Sequence, residues 1–169
     1  MRPMHRTQPP HPGLSHRLLS ILLFTAVAMP SSSWSGDGAL DKLAEAIKPL
    51  TYALSLIGTP YRFGGTSPET GVDCSGLVRH VYAETAELRL PHSAAEISQQ
   101  GEPIPPDQLK PGDLVFFNTM RRPFSHVGIY KGDGEFVHAS STRTGRVQVS
   151  DMNKHYWAKR FDGARRILP

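Results

Sequence analysis

"GVDCSGLVRHVY", residues 71–82, decides how this chain is read. It holds Cys74, the only cysteine among 169 residues, between an aspartate and a serine-glycine pair. Asp73 or a neighbour supplies a helix cap, and Leu77, Val78, Val81 and Tyr82 follow at the i, i+1, i+4, i+5 spacing of a helix that buries one face. The thiol therefore sits in the first turn of a helix. Backbone N–H groups there have no intrahelical partner and the helix dipole is positive, so the position is expected to favour thiolate and depress the thiol pKa.

Moving outward, "DGALDKLAEAIKPLTYALSLIG" (37–58) has apolar residues at helical spacing after an Asp37 cap. Pro49 is expected to end one helix or open a second, and Gly58 to stop it. "GTPYRFGG" (58–65) is a loop by its glycine and proline content. "SAAEISQQG" (93–101) carries an S-x-x-E capping box from Ser93 to Glu96 and a closing Gly101, giving a short helix, and "PIPPDQLKPG" (103–112) is a turn-rich connector. Beyond Gly112 the period changes. "DLVFF" (113–117), "SHVGIY" (125–130), "GEFVHAS" (134–140) and "GRVQVS" (145–150) are short β-branched and aromatic runs between Gly, Asp and Pro clusters, as in an antiparallel sheet. One turn of helix in "MNKHYWAKRF" and a last strand in "GARRIL" complete the pattern. Helices first and strands after give an α+β domain with the cysteine helix on one face of the sheet.

Two histidines bracket one hairpin. If Tyr130 and Gly134 flank a three-residue "KGD" loop, His126 and His138 are directly opposed on one face, with Cβ atoms ~5 Å apart. A two-residue loop shifts the pairing by one and separates them. Cys74 is then a nucleophile, and His126 its ion-pair partner and the later proton donor to a leaving amine. His138 orients the ring of His126, and the first N–H groups of the helix stabilise an oxyanion. Blander readings stand beside this: a lone cysteine as a small buried hydrophobe, and strand histidines as satisfied residues. A Cys-His-His metal site has no C-x-x-C or H-E-x-x-H spacing behind it, so no metal or other cofactor is expected. His80 and His92 read as surface residues and His155 as a packing residue.

The compartment sharpens the case for a reactive thiol. Arg2, Arg6 and Arg17 precede "LLSILLFTAVAM" (18–29) with no acid among them, a basic segment and an apolar run in the order of a secretory signal peptide, assigned to residues 1–35. The 12-residue run is short for a spanning helix, which needs ~20, and Cys74 lies 45 residues beyond Met29, so neither a membrane anchor nor a lipoprotein is expected. An unpaired cysteine in an oxidising compartment is a liability unless it is used. The formal charge of +4 also belongs to this segment: without its three arginines, 16 basic residues face 15 acids. A nucleic-acid or membrane-surface role is excluded on that balance, and the remaining residues suffice for one domain.

In order and in register, "GTPYRFGG", "GVDCSGLV", "LPHSAAEISQQG", "LKPGDLVFF", "SHVGIY" and "FVHAS" resemble the NlpC-type peptidoglycan cysteine peptidases, from about Leu50 to the C-terminus. The resemblance implies a papain-like core at 50–169 behind a short lead-in helix at 36–49. It also implies Cys74 as nucleophile, His126 as base and His138 as the third polar residue. It places the Tyr61 hydroxyl beside the nucleophile and Asp73 and Ser75 in substrate subsites; the alternatives are a packed loop aromatic for Tyr61, a helix cap for Asp73 and a plain first-turn residue for Ser75. His92 departs from an arginine frequent in relatives.

The stretch from Phe136 to Leu168 is similar to the Spr-like (MepS-like) murein endopeptidases. It implies a periplasmic or secreted enzyme that hydrolyses the D-Ala to diaminopimelate cross-link between peptidoglycan stem peptides. The alternatives are cleavage of the γ-D-Glu to diaminopimelate bond within one stem, an acyltransferase or amidase, and a wall-peptide binding protein that does not cut. Only 14 positions separate Gly36 from Leu50, so wall recognition is expected from the cleft or from a partner, and no regulatory partner is identified.

Overall fold

A computed structural model describes residues 37–141 and 145–168. The expected signal segment at 1–35 lies outside the described residues. In chain order the elements are α1 (Asp37–Ser55), β1 (Thr66–Ser67), β2 (Gly71–Val72), α2 (Cys74–Ala86) and α3 (Ala94–Ile97). There follow β3 (Glu102–Pro103), a 3-10 turn (Pro106–Gln108), β4 (Leu114–Phe117), β5 (His126–Gly132), β6 (Glu135–Ala139), β7 (Val147–Asp151), α4 (His155–Ala158) and β8 (Phe161–Arg166). β1 and β2 pair as a small hairpin, and the other strands form a six-stranded antiparallel sheet in the order β3-β8-β4-β5-β6-β7. The expected α+β class holds, with α1 and α2 packed together on the sheet.

Pro49 does not break α1. Its ring removes the N–H that would bond the Glu45 carbonyl, a local cost. The turn beyond it carries Leu50 and Ala53 into the core, and this burial holds the helix through the proline. The lead-in segment and the start of the main domain are thus one continuous helix.

Both faces of the sheet are covered. Leu77 and Val81 of α2 pack with Leu114, Phe116, Val127, Ile129, Val137 and Val147 on one face. Val115, Phe117, Phe136 and Ala164 point to the other, under Trp157 and Phe161. That is why "LVFF" reads as an unbroken apolar run rather than an alternation, and all four of its residues are fully buried. Its outer neighbour β8 comes from the far end of the chain. It is clamped by Arg166, whose Nε and Nη2 donate to Asp113 Oδ1 and Oδ2 at 2.8 and 2.7 Å. Such a paired fork onto a buried carboxylate is among the stronger polar contacts available to a protein.

The β5–β6 hairpin corrects the expected register. Its loop has two residues, Asp133 and Gly134, both at positive φ (53° and 75°), the geometry of a type I′ turn. By itself this turn would put the two histidines on opposite faces. A bulge between Tyr130 and Gly132 inserts the compensating residue, so Tyr130 pairs Phe136 and Ile129 pairs Val137. Continued along the ladder, this register sets Gly128, not His126, opposite His138. The shift from the expected pairing is two residues, which keeps both histidines on the face away from α1 and α2.

The loop at 58–65 is pinned from both sides. Its backbone bonds Val147 on β7 and Val72 on β2, and the Gly65 carbonyl accepts the Asp73 N–H at 3.0 Å. That carbonyl lies flat on the first turn of α2, where a Cβ on Gly76 would be 1.9 Å from the Gly65 oxygen. Only glycine lets the loop approach so closely. Gly76→Ala should therefore cost about 3 kcal/mol, the upper part of the usual overpacking range, read as a lower urea midpoint with an unchanged m-value.

Candidate active site

The thiol is positioned by its helix cap. Asp73 Oδ1 accepts the Gly76 N–H at 2.7 Å and the Ser75 hydroxyl at 3.0 Å, while Oδ2 accepts the Gly64 N–H at 2.9 Å. One carboxylate thus starts α2, holds Ser75 and ties down the 58–65 loop. Asp73 and Ser75 both border the groove described below, yet their polar atoms are already engaged inside the fold. Tyr61 lies at the same spot: burial raises its phenol pKa, and the nearby Cys74 and Asp73 add to the shift.

The histidines meet diagonally. His126 Nε2 and His138 Nδ1 are 2.9 Å apart. The approach crosses Gly128, where a Cβ would come within 2.6 Å of the Phe136 ring and 3.2 Å of His138 Cβ. The glycine of "HVGIY" is what leaves room for the second ring. Trp157 stacks on His126 with centroids 5.4 Å apart, and Phe136 stacks on His138 at 4.8 Å. The far nitrogen of His138, Nε2, is 2.9 Å from Ser150 Oγ. Sequence reasoning missed Trp157 and Ser150. The one signal pointing to Ser150 is its spacing, since 126, 138 and 150 are each twelve residues apart.

Cys74 lies on the helix side, at the first position of α2. The backbone N–H of Val127 acts on its thiol, which sets the sulfur near the start of the strand that His126 opens. Nε2 of His126 is taken by His138, so Nδ1 is the ring nitrogen not engaged by that pair. The expectation of a depressed thiol pKa is corrected. Burial is the largest influence and pushes the thiol up to about 11; the Val127 N–H opposes it, the Asp73 charge adds to it, and the N–H groups of Ser75 and Cys74 oppose it less. The positive end of the helix is spent on its own carboxylate cap. Burial likewise lowers His126 to about 4, against the pull of Asp73, and lowers His138 to about 3, with His126 adding to the shift and the backbone at Ala139 opposing it. At rest the site holds a neutral thiol and neutral imidazoles.

Cys74 opens onto a groove of about 430 Å³ lined by Tyr61, Phe63, His92, Met120, Arg122 and Phe124, among others. Phe63 and Met120 are well exposed on its rim. His92 is exposed as expected, whereas His80 is half-buried, 3.1 Å from the Tyr52 hydroxyl. Among the described residues no helix is long and apolar enough to cross a membrane, and no cluster of three His, Cys, Asp or Glu side chains is placed to hold a metal ion.

Two measurements follow from these environments. Iodoacetamide alkylation of Cys74 in the free protein should rise with pH above the ordinary thiol value of ~8.5; a midpoint below it would contradict the burial. Acid should also destabilise the fold through the histidines. Their folded pKa values lie below the unfolded ~6.5, so the unfolded chain binds more protons below that pH. Their contribution is complete above pH 6.5 and is lost as pH falls through 4 towards 3, on the order of 3 kcal/mol for His126 by pH 4. The urea midpoint should track this window, and His138→Asn should flatten the fall.

Comparison with known proteins places these features in a wider group. The model of the NlpC/P60 family matches residues 58–166. The chain is 40% identical over 143 residues to the murein DD-endopeptidase MepH of Escherichia coli, covering 82% of this chain and 52% of the relative. It is 46% identical over 114 residues to the murein DD-endopeptidase MepS/murein LD-carboxypeptidase of Escherichia coli, covering 66% and 57%. It is 40% identical over 144 residues to the gamma-DL-glutamyl hydrolase of Bacillus subtilis, covering 81% and 34%. The chain thus spans between a third and somewhat over half of the length of these relatives. A crystal structure of an NlpC/P60 family protein from Bacillus cereus superposes with a TM-score of 0.67 at 29% identity, over 73% of this chain and 40% of that one.

Proposed function

Because the chain belongs to the NlpC/P60 family, we propose that it is a murein endopeptidase that hydrolyses the D-Ala to diaminopimelate cross-link of peptidoglycan, with Cys74 as nucleophile and His126 as its base. The observation that carries this reading is the meeting of three elements at one end of β5: the thiol under the Val127 N–H, the His126–His138 contact of 2.9 Å, and an open groove. The similarity to the MepH and MepS enzymes supports the substrate class and the bond. The basic and apolar segment at 1–29 supports export to the periplasm or beyond.

The chemistry starts from neutral partners. As the D-alanyl carbonyl is seated over Cys74, Sγ attacks its carbon while the thiol proton passes to His126 Nδ1. Excluding water from the groove strengthens the attraction between the thiolate and imidazolium forms, which burial alone disfavours. The oxyanion is held by the N–H groups of the first turn of α2, with the Tyr61 hydroxyl adjacent. The imidazolium then protonates the diaminopimelate amine, which leaves, and a thioester remains on Cys74. Water attacks the thioester, its proton goes to His126 and returns to the sulfur, and the alanyl carboxylate departs. His138 holds the ring of His126 throughout.

A second reading is favoured by one observation, the similarity to the gamma-DL-glutamyl hydrolase: cleavage of the γ-D-Glu to diaminopimelate bond inside a stem. Sacculi digested with the protein and resolved by mass spectrometry separate the two. Dimeric muropeptides should become monomers without release of L-Ala-γ-D-Glu; free dipeptide beside intact dimers would transfer the assignment to the second reading, and unchanged sacculi would favour a binding role. Cys74→Ala and His126→Ala should each lower turnover by roughly 10⁴-fold, whereas His138→Ala should keep a measurable residue because the base remains.

A further inference from the structure

We propose that Ser150 is a positioning residue of this reaction, supplying the acceptor that the productive tautomer of His138 needs and so allowing His126 to be a base; the proposal rests on the peptidase reading above. The polar groups form a diagonal ladder across three neighbouring strands. His126 on β5 reaches His138 on β6 at 2.9 Å, and His138 reaches Ser150 on β7 at 2.9 Å. Ser150 stands to His138 as His138 stands to His126: Gln148 is paired with His138, and Ser150 is two residues further along the same face.

Proton placement along the ladder allows two patterns. For His126 to take a proton from the thiol, its Nδ1 must be bare and its proton must sit on Nε2. That Nε2–H donates to His138 Nδ1, which must then be bare, so His138 carries its proton on Nε2 and needs an acceptor there. Ser150 Oγ is that acceptor. In the opposite pattern the Ser150 hydroxyl donates to a bare Nε2, His138 donates from Nδ1, and His126 is left with its proton on Nδ1, unable to act as a base; the hydroxyl fits either pattern, but only the first needs an acceptor at Nε2. The ring of His138 is fully buried, so bulk water does not stand in for a missing partner, and the backbone at Ala139 is the other polar group acting on the ring. With the hydroxyl removed, the cheaper arrangement puts the His138 proton on Nδ1 and leaves Nε2 bare, which is the inactive pattern. The imidazolium form of His126 makes the same demand, because its Nε2–H must also be accepted by His138.

The test compares Ser150→Thr with Ser150→Val, two side chains of nearly equal shape that suit a strand and differ in the hydroxyl. The ring nitrogens of His138 are observed by ¹⁵N NMR in both variants and in the unmutated protein, beside turnover of sacculi. Unmutated protein and Ser150→Thr should show the Nε2–H tautomer at His138. Ser150→Val should shift towards Nδ1–H and lose about 10- to 100-fold in turnover, with KM for a soluble dimeric muropeptide changed by less than about 2-fold, as for an interaction that acts on the chemical step. An Nδ1–H tautomer at His138 in the unmutated protein overturns the proposal even if no variant folds. So does a Val variant with the tautomer or the turnover of the Thr variant. If the unmutated protein fails to cut sacculi, the peptidase reading falls, and the tautomer comparison still decides what Ser150 does to His138.

Discussion

The carboxylate of Asp73 is the contact on which the site depends. Its two oxygens gather the start of α2, the Ser75 hydroxyl and the Gly64 backbone into one knot. Without it the loop at 58–65 keeps only its backbone ties to the helix start and the sheet, and the first turn of α2, which carries the thiol, loses its side-chain cap. The same group charges the neighbourhood negatively. It therefore works against the thiolate that a helix start otherwise favours, and the geometry of the site and its electrostatics pull in different directions.

This tension gives the resting site a particular character. Trp157 and Phe136 close over the histidine pair, and burial at the helix start disfavours a charged sulfur, so none of the three groups gains by ionising alone. On the proposed reading, charge separation becomes favourable only with a substrate dipole in the groove. Such an arrangement also makes an unpaired thiol less open to oxidants, because the thiolate is the reactive form and is scarce here.

Much of this was legible in the sequence because it is local chemistry. Asp73 capping α2, the Ser93 to Glu96 box and the apolar stripe from Leu77 to Tyr82 are short-range patterns, and all appear where their spacing put them. The strands after Gly112 followed from composition in the same way. What escaped was decided by tertiary context. Pro49 is carried through α1 by burial of the next turn, which no propensity encodes. The β4–β8 pairing joins residues far apart in the chain. Trp157 and Ser150 act through a face of the sheet whose existence depends on the strand order, so neither residue type stood out in isolation. The thiol environment was misjudged because a helix terminus can be read from a sequence and the depth of burial cannot.

The bulge between Tyr130 and Gly132 has a consequence for how this hairpin can vary. A two-residue turn and one extra residue together restore the parity that brings His126 and His138 to one side of the sheet. The segment between them therefore behaves like a reading frame with a period of two. Losing Lys131 alone, or gaining one residue at the turn, would point one imidazole into the helix-side core and the other into the aromatic layer, although every residue of the site would still be present. Paired insertions at the tip would leave the site intact. Two chains with the same cysteine and histidines can thus differ between a working and an inert site by the length of one turn.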